Sequence, residues 1–365
     1  MGCPIAAVLS DIGSKHNFNV QLLSLNDPQG LHQITVAGNK LCVRGFGRSK
    51  AKFVASALLN APSVRFAYIA HPNFAPLGFA LAFPQRRRAA YVVGTYGIDV
   101  WERLPAMNRV SLNRAYRVLT ISNLTADALK KVQGTPASNV VTIPPALDPY
   151  LMQLAQGNVR LSVPSFQSRK IALTVTRLME TEKYKGVDIV IQALPKVIAA
   201  VPDFQYVVVG DGTDRQRLEK LALDLHVADH VSFAGSKTNE ELAGYYSACD
   251  VFVMPSKNEG FGIVYLEAMA FGKPVIAPNT GAPAEFIGHE KQGLLVDPDN
   301  VDAVASALVQ LLNNPAAAKR LGQDAQQFVQ NQYSFDQFSL RLTGEIEPIL
   351  LEHRNRIERK ARVST

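Results

Sequence analysis

The strongest constraint on the fold is an alternation of short β-rich runs with helix-periodic stretches between residues 170 and 312. Strand-like runs stand at Lys170–Val175, Phe204–Val209, Val231–Phe233, Val251–Met254 and Pro274–Ile276. Between and after them, apolar residues recur every three to four positions, over Val187–Ala200, Asp214–His226, Asn239–Ser247, Ile263–Phe271 and Val301–Leu312. Strands that alternate with helices build a parallel sheet covered on both faces. The first half keeps the rhythm, with strands predicted at Val20–Leu25, Phe66–Ala70, Tyr91–Val93, Val118–Ile121 and Val140–Ile143. A chain of 365 residues exceeds what one ordinary core holds. Two doubly wound α/β domains are therefore expected, residues 1–160 and 161–335, divided within a Pro-, Gln- and Ser-containing stretch from Pro145 to Gln167. Residues 336–365 are expected to form one or two C-terminal helices, either solvated at the end of the chain or crossing back to the first domain.

Charge separates the two halves. Residues 1–165 carry 17 Lys and Arg against 6 Asp and Glu, and the remainder 21 against 25. A basic half joined to an acidic one directs the first towards a polyanionic partner. Arg44, Arg48, Lys50 and Lys52 form one basic cluster and Arg86-Arg87-Arg88 another. No nucleic-acid-binding module surrounds either, so an anionic membrane surface is expected rather than nucleic acid. The longest apolar stretches, such as Ala75–Pro84, fall well short of the roughly 20 residues of a membrane span. Neither a secretory signal nor N-myristoylation is expected at the N-terminus, where Ala6 replaces the Ser or Thr of the acylation motif. Cys3, Cys42 and Cys249 have no disulfide or metal spacing; they are expected to be small buried residues in a cytoplasmic protein.

Chemistry concentrates in Ser256–Ala277, SKNEGFGIVYLEAMAFGKPVIA. A strand ends, Glu259 follows, and Gly260 and Gly262 flank Phe261 at the start of an apolar helix. Glycines admit close approach of a ligand, and a helix N-terminus offers free N–H groups that suit a diphosphate. Glu267 lies inside an otherwise apolar run, where an unpartnered carboxylate would be costly. Two neighbouring hydroxyls, as on a ribose, would satisfy it. His226 and His230 lack a third ligand nearby, so they are expected at a helix C-terminus rather than in a metal site.

Glu259 and Glu267, with Gly-Phe-Gly between them, resemble the E-x7-E signature of the retaining glycosyltransferases of family four, which adopt the GT-B fold of two Rossmann-like domains facing a cleft. Thr176–Asp188, TRLMETEKYKGVD, is similar to the segment in which that family holds the donor diphosphate between an arginine and a lysine. Arg177 matches the arginine; Lys185, directly before Gly186, matches the lysine, with Lys183 the alternative. Val207–Glu219, holding Gly210 and Gly212, resembles the nucleotide-side glycine loop, and its Thr213 and Gln216 also read as a capping box. Phe233–Leu242, holding Ser236 and Lys237, resembles the segment that frames the base. In the first half, His71 in YIAHPNFAP matches a histidine facing the donor sugar, and Asp99 in GTYGIDVW an acceptor-side loop. Relatives begin with a strand and a glycine-rich loop, whereas Met1-Gly2 leads into the helical pattern Ile5–Ile12, so the first strand of the N-terminal domain is expected to be missing.

The resemblance implies transfer of a sugar from a UDP- or GDP-linked donor to a hydroxyl of a lipid-linked or polysaccharide acceptor, with retention of configuration and by front-face attack. Glu259, Arg177, Lys185 and His71 are the catalytic candidates. Gly210, Gly212, Ser236, Lys237, Gly260, Phe261, Gly262 and Glu267 are the donor-binding candidates, and Asp99 is the acceptor-side one. No cofactor is expected, and no metal. The alternatives are a sugar-nucleotide 2-epimerase of the same fold and a catalytically silent nucleotide-sugar-binding subunit.

Overall fold

The computed structural model describes residues 2–36, 38–82, 90–157 and 169–363, with the side chains of 2–3 and 353–363 left out of the description. Arg86, Arg87 and Arg88 lie outside the described residues, as does the Cys3 side chain. The chain forms two compact units, residues 1–146 together with 335–365, and residues 147–334. The first crossing thus falls at Ala146/Leu147, fourteen residues before the expected 160/161 division, because Leu147 and the helix after it pack with the second unit.

The first unit opens with α1 (Gly2–His16), β1 (Leu22–Ser24), β2 (Gly30–Val36), β3 (Asn39–Gly45) and α2 (Lys50–Leu59). It continues through β4 (Phe66–Ile69), α3 (Ala75–Ala82), β5 (Ala90–Thr95), α4 (Ile98–Trp101), α5 (Ala106–Asn113), β6 (Arg117–Thr120), α6 (Asn123–Lys131) and β7 (Val140–Thr142). Its strands fall in two sheets rather than one. β4-β5-β6-β7 is wholly parallel, whereas β1 pairs parallel to β3, which turns back antiparallel on β2. The β2–β3 hairpin was not expected, although Leu41 and Val43 point inwards while Lys40, Cys42 and Arg44 point out, the two-residue period of a half-buried strand. Cys42 is accordingly exposed, contrary to the expectation of a buried thiol, and Cys249 is buried.

The second unit contains α7 (Pro149–Ala155), β8 (Lys170–Val175), α8 (Val187–Ala200), β9 (Phe204–Val209), α9 (Arg215–Asp224), β10 (Val231–Gly235) and α10 (Asn239–Ala248). It continues with β11 (Val251–Val253), α11 (Ile263–Ala270), β12 (Val275–Pro278), α12 (Pro283–Phe286), β13 (Gly293–Val296), α13 (Val301–Leu312) and α14 (Pro315–Gln332). All six strands are parallel, in the order β10-β9-β8-β11-β12-β13. α8 illustrates the cause: Val187, Val190, Ile191, Leu194 and Val197 lie on one face and are buried, each contributing about 1.5–3 kcal/mol relative to exposure.

The last helix, α15 (Phe335–Val363), belongs to the first unit. Its Phe338, Leu342, Ile346 and Ile349 join Ile5, Val8 and Ile12 of α1 over Val92 and Leu119 of the sheet. Among the described residues no helix is long and apolar enough to cross a membrane.

Candidate functional site

The strand order of the second unit reverses between β8 and β11, because the chain leaves β8 towards β9 on one side and leaves β11 towards β12 on the other. In open α/β sheets the crevice at such a reversal, at the carboxyl ends of the strands, is where ligands bind. The loop after β8 carries Arg177 and Lys185; the loop after β11 carries Glu259, Gly260, Phe261 and Gly262. The two are stitched together by the Lys257 amide, which donates to Tyr184 O at 2.9 Å, and by an ion pair between Lys185 Nζ and Glu259 Oε1, both largely buried. Lys183 instead lies 3.9 Å from Glu180 on the surface. It is therefore Lys185 that the fold brings to Glu259.

Arg177 pairs with Glu182, a residue the sequence did not single out. Tyr184 lies among these charges, with Lys185 Nζ 5.1 Å from its ring centroid. Burial, with Glu259 and Glu182 nearby, pushes its hydroxyl up to about 12.

Gly210 and Gly212 have a packing role. Gly210 has φ +130°, and a Cβ there would lie 1.8 Å from Thr176 O; at Gly212 it would lie 2.2 Å from Leu178 O. The close approach lets Leu178 N donate to Asp211 O at 3.1 Å and Asp214 N to Leu178 O at 2.8 Å, which fixes the Arg177 loop. Thr213 takes part as well: its Oγ1 accepts from Glu180 N at 3.1 Å. The expected capping box is absent: Asp214 is the N-cap, and its carboxylate accepts from Arg217 at 2.7 Å rather than from a backbone amide of the first turn. Gly210→Ala is expected to lower stability by about 2–4 kcal/mol, since it combines a left-handed backbone with a backbone clash. Gly344→Ala, in α15 with open space around it, is expected to be neutral or mildly stabilising. Thermal melts of the two variants check the contrast.

Gly262 is the N-cap of α11, with φ +85° and ψ +62°. The first turn of α11 follows the carboxyl end of β11, beside the reversal point; Tyr265 N donates back to Gly262 O at 3.1 Å, and the first amides of such a turn have no i→i−4 acceptor. The Phe261 ring is buried and stacks on Phe286 at 4.7 Å, with Tyr333 at 5.9 Å, so this loop is held from beneath. One turn further on, Glu267 is partly buried, and its Oε2 accepts from the Tyr246 hydroxyl at 2.7 Å. Burial raises its carboxyl above the ordinary value; the Tyr246 hydrogen bond opposes this, and Asp148 adds to it. Tyr246, on α10 and 21 positions away, gave no sequence signal.

Ser236 and Lys237 follow β10, two strand spacings from β8, or roughly 10 Å. Lys237 Nζ lies 5.9 Å from the Tyr245 ring. His230 bonds Phe204 O at 2.8 Å, and His226 has φ +56° just after α9, so neither forms part of this crevice.

His71 and Asp99 lie in the first unit, after the neighbouring strands β4 and β5. His71 Nδ1 accepts from Asn73 N at 3.1 Å, capping the turn Pro72–Phe74. Asp99 accepts from Tyr96 N at 3.0 and 3.1 Å. Burial raises its carboxyl; the Tyr96 amide and the nearby His71 oppose the shift.

Comparison with known proteins bears on the family and the fold. Residues 158–328 match the family described as Glycosyl transferases group 1. A GDP-mannose-dependent alpha-(1-6)-phosphatidylinositol monomannoside mannosyltransferase of Mycobacterium tuberculosis is 34% identical over 285 residues, 73% of this chain and 72% of that protein. Anabaena HepE, solved in complex with UDP and glucose, has the same fold, with a TM-score of 0.74 over 95% of this chain and 96% of that one at 18% identity. Sucrose-phosphate synthase from Thermosynechococcus elongatus does too, with a TM-score of 0.72 over 94% and 92% at 24% identity. The chain belongs to the group 1 glycosyltransferases, nucleotide-sugar-dependent enzymes of the GT-B fold.

Proposed function

We propose that this protein moves a hexosyl group, with retention, from a nucleoside-diphosphate sugar to a hydroxyl of a lipid-linked or polysaccharide acceptor. GDP-mannose is the first donor to test, because the mycobacterial relative is named for it, and UDP-glucose the second. The observation that carries the reading is the convergence of Arg177, Lys185, Glu259 and the amides around Gly262 at the strand-order reversal. In the proposed reaction the bond from the anomeric carbon to the phosphate oxygen breaks, and a bond to the acceptor oxygen forms on the same face. The acceptor proton passes to the departing phosphate. Arg177 and Lys185, rather than a metal ion, offset the charge that builds on the diphosphate, the kind of preorganised stabilisation that lowers such barriers most. Glu259 orients the donor sugar hydroxyls, Glu267 takes the ribose diol, and the Ser236–Lys237 segment frames the base. Gly210 and Gly212 support the Arg177 loop. His71 and Asp99 serve the sugar and acceptor side.

The test is calorimetric titration with UDP, GDP and ADP, followed by NMR of the product formed from the matching α-linked donor. An α-linked product supports retention and a β-linked product overturns it. Epimerised nucleotide formed without acceptor would move the assignment to the epimerase alternative.

Peripheral attachment to an anionic membrane is part of the proposal. α2 has no acidic residue; its Lys50 and Lys52 are exposed, as are Arg44 and Arg48 just before it in the chain, and Leu59 is 83% exposed at its other end. Such a face attracts anionic lipid at about 1 kcal/mol per basic residue near the surface. Co-sedimentation with liposomes is expected to rise with anionic lipid and to fall with salt. Indifference to both would exclude this attachment.

A further inference from the structure

Both cations assigned to the donor diphosphate are already held by carboxylates, Lys185 by Glu259 and Arg177 by Glu182. The two pairs are built differently. Lys185 and Glu259 are both largely buried, whereas the Arg177 side chain is 74% exposed and that of Glu182 only 12%. The guanidinium therefore sits on the solvent side and can swing, while the carboxylate sits on the protein side. The Glu182 backbone is pinned, its amide donating to Met179 O at 2.8 Å and its φ of −116° interrupting the short helical turn Glu180–Lys185. Only Oε1 meets Arg177. Oε2 is buried and has no hydrogen-bond partner among the described residues. A phosphate that draws Arg177 away leaves both oxygens of a mostly buried carboxylate without a donor, and such a state is disfavoured.

We propose that Glu182 is an internal competitor of the diphosphate for Arg177. It holds the guanidinium between turnovers and takes it back as the nucleoside diphosphate leaves. Glu182 touches no reacting atom and acts only through Arg177. Its effect is to weaken binding of the leaving group and so to speed product release, a step that limits turnover in many enzymes. The inference rests on the assignment of Arg177 to the diphosphate made above.

UDP and GDP are titrated calorimetrically into the wild type, Glu182→Gln, Arg177→Ala and the double variant, and release is followed by stopped-flow displacement. Glu182→Gln is expected to bind the preferred nucleotide about fivefold more tightly, the scale of an exposed ion pair. Its release slows, and kcat and KM fall together. In the Arg177→Ala background the same replacement changes nothing. Unchanged or weaker binding by Glu182→Gln overturns the proposal, because a residue that merely aims Arg177 loses affinity when removed. If Arg177→Ala binds like the wild type, the diphosphate assignment fails and the proposal with it. If Arg177→Ala weakens binding while Glu182→Gln does not tighten it, the proposal fails alone. Should Glu182→Gln not fold, Glu182→Asp keeps the charge but shortens its reach to Arg177. It is expected to tighten binding in the same direction, and unchanged affinity there is equally decisive.

Discussion

Glu267→Ala is expected to lower nucleoside-diphosphate affinity by about 10–100-fold. The carboxylate has one oxygen engaged by Tyr246 at 2.7 Å and retains acceptor capacity for a ribose diol. Hydrogen bonds to a charged group are worth about 1.5–3 kcal/mol, and each 1.4 kcal/mol is a factor of ten in affinity. The variant also leaves the buried Tyr246 hydroxyl without its acceptor, which costs about 1–3 kcal/mol of stability. Glu267→Gln separates the two effects: it keeps an acceptor for Tyr246 while losing the charge, so it is expected to melt close to wild type and still bind nucleotide weakly. pH adds a further check. Burial raises the Glu267 carboxyl in the fold, so the folded state takes up a proton sooner than the unfolded chain does. As pH falls through that raised value the fold gains from neutralising the group. Nucleotide affinity falls over the same window, above the range of an ordinary glutamate. Calorimetry and thermal melts across pH should move in opposite directions, and affinity that stays flat there would remove Glu267 from the ribose.

Lys185→Ala is expected to lower kcat/KM by about 100–1000-fold, the scale seen when a preorganised electrostatic contact to developing charge is removed. It is also expected to destabilise the protein by about 3 kcal/mol, because Glu259 remains largely buried without its cation. The two losses have different remedies. Adding Glu259→Gln removes the stranded charge and restores much of the melting temperature, yet activity stays low, since no cation faces the leaving diphosphate. If the double variant recovers activity along with stability, Lys185 serves the fold alone.

How much of this could be read in the sequence depends on where each side chain finds its partner. α8 and α13 begin and end where the periodicity places them, and so do β8 and β9, because buried parallel strands and their crossover helices carry continuous apolar signals. β13 (GLLV) opens on a glycine and holds a single β-branched residue, so its strand signal is weak. The β2–β3 hairpin, with half its residues polar, carries a weaker strand signal, in β3 no more than a two-residue alternation. Glu267 betrayed itself as a carboxylate in an apolar run. Glu182 and Tyr246 could not, since each depends on a contact that no helical or strand spacing predicts. Gly210 and Gly212 resemble a nucleotide-side glycine loop in the sequence; that the backbone of the neighbouring loop leaves no room for a larger residue at either position is visible only in the fold.

The return of α15 to the first unit has a consequence for how the protein is made. A chain leaves the ribosome from its N-terminus, and domains fold as their residues emerge. Residues 147–334 form one uninterrupted unit and can close as soon as α14 is out. The first unit cannot: Ile5, Val8 and Ile12 wait for Phe338, Leu342, Ile346 and Ile349, more than 300 residues later, before their core is complete. The half synthesised first is thus the half finished last, and throughout elongation its apolar face stays open to chaperones and to neighbouring nascent chains.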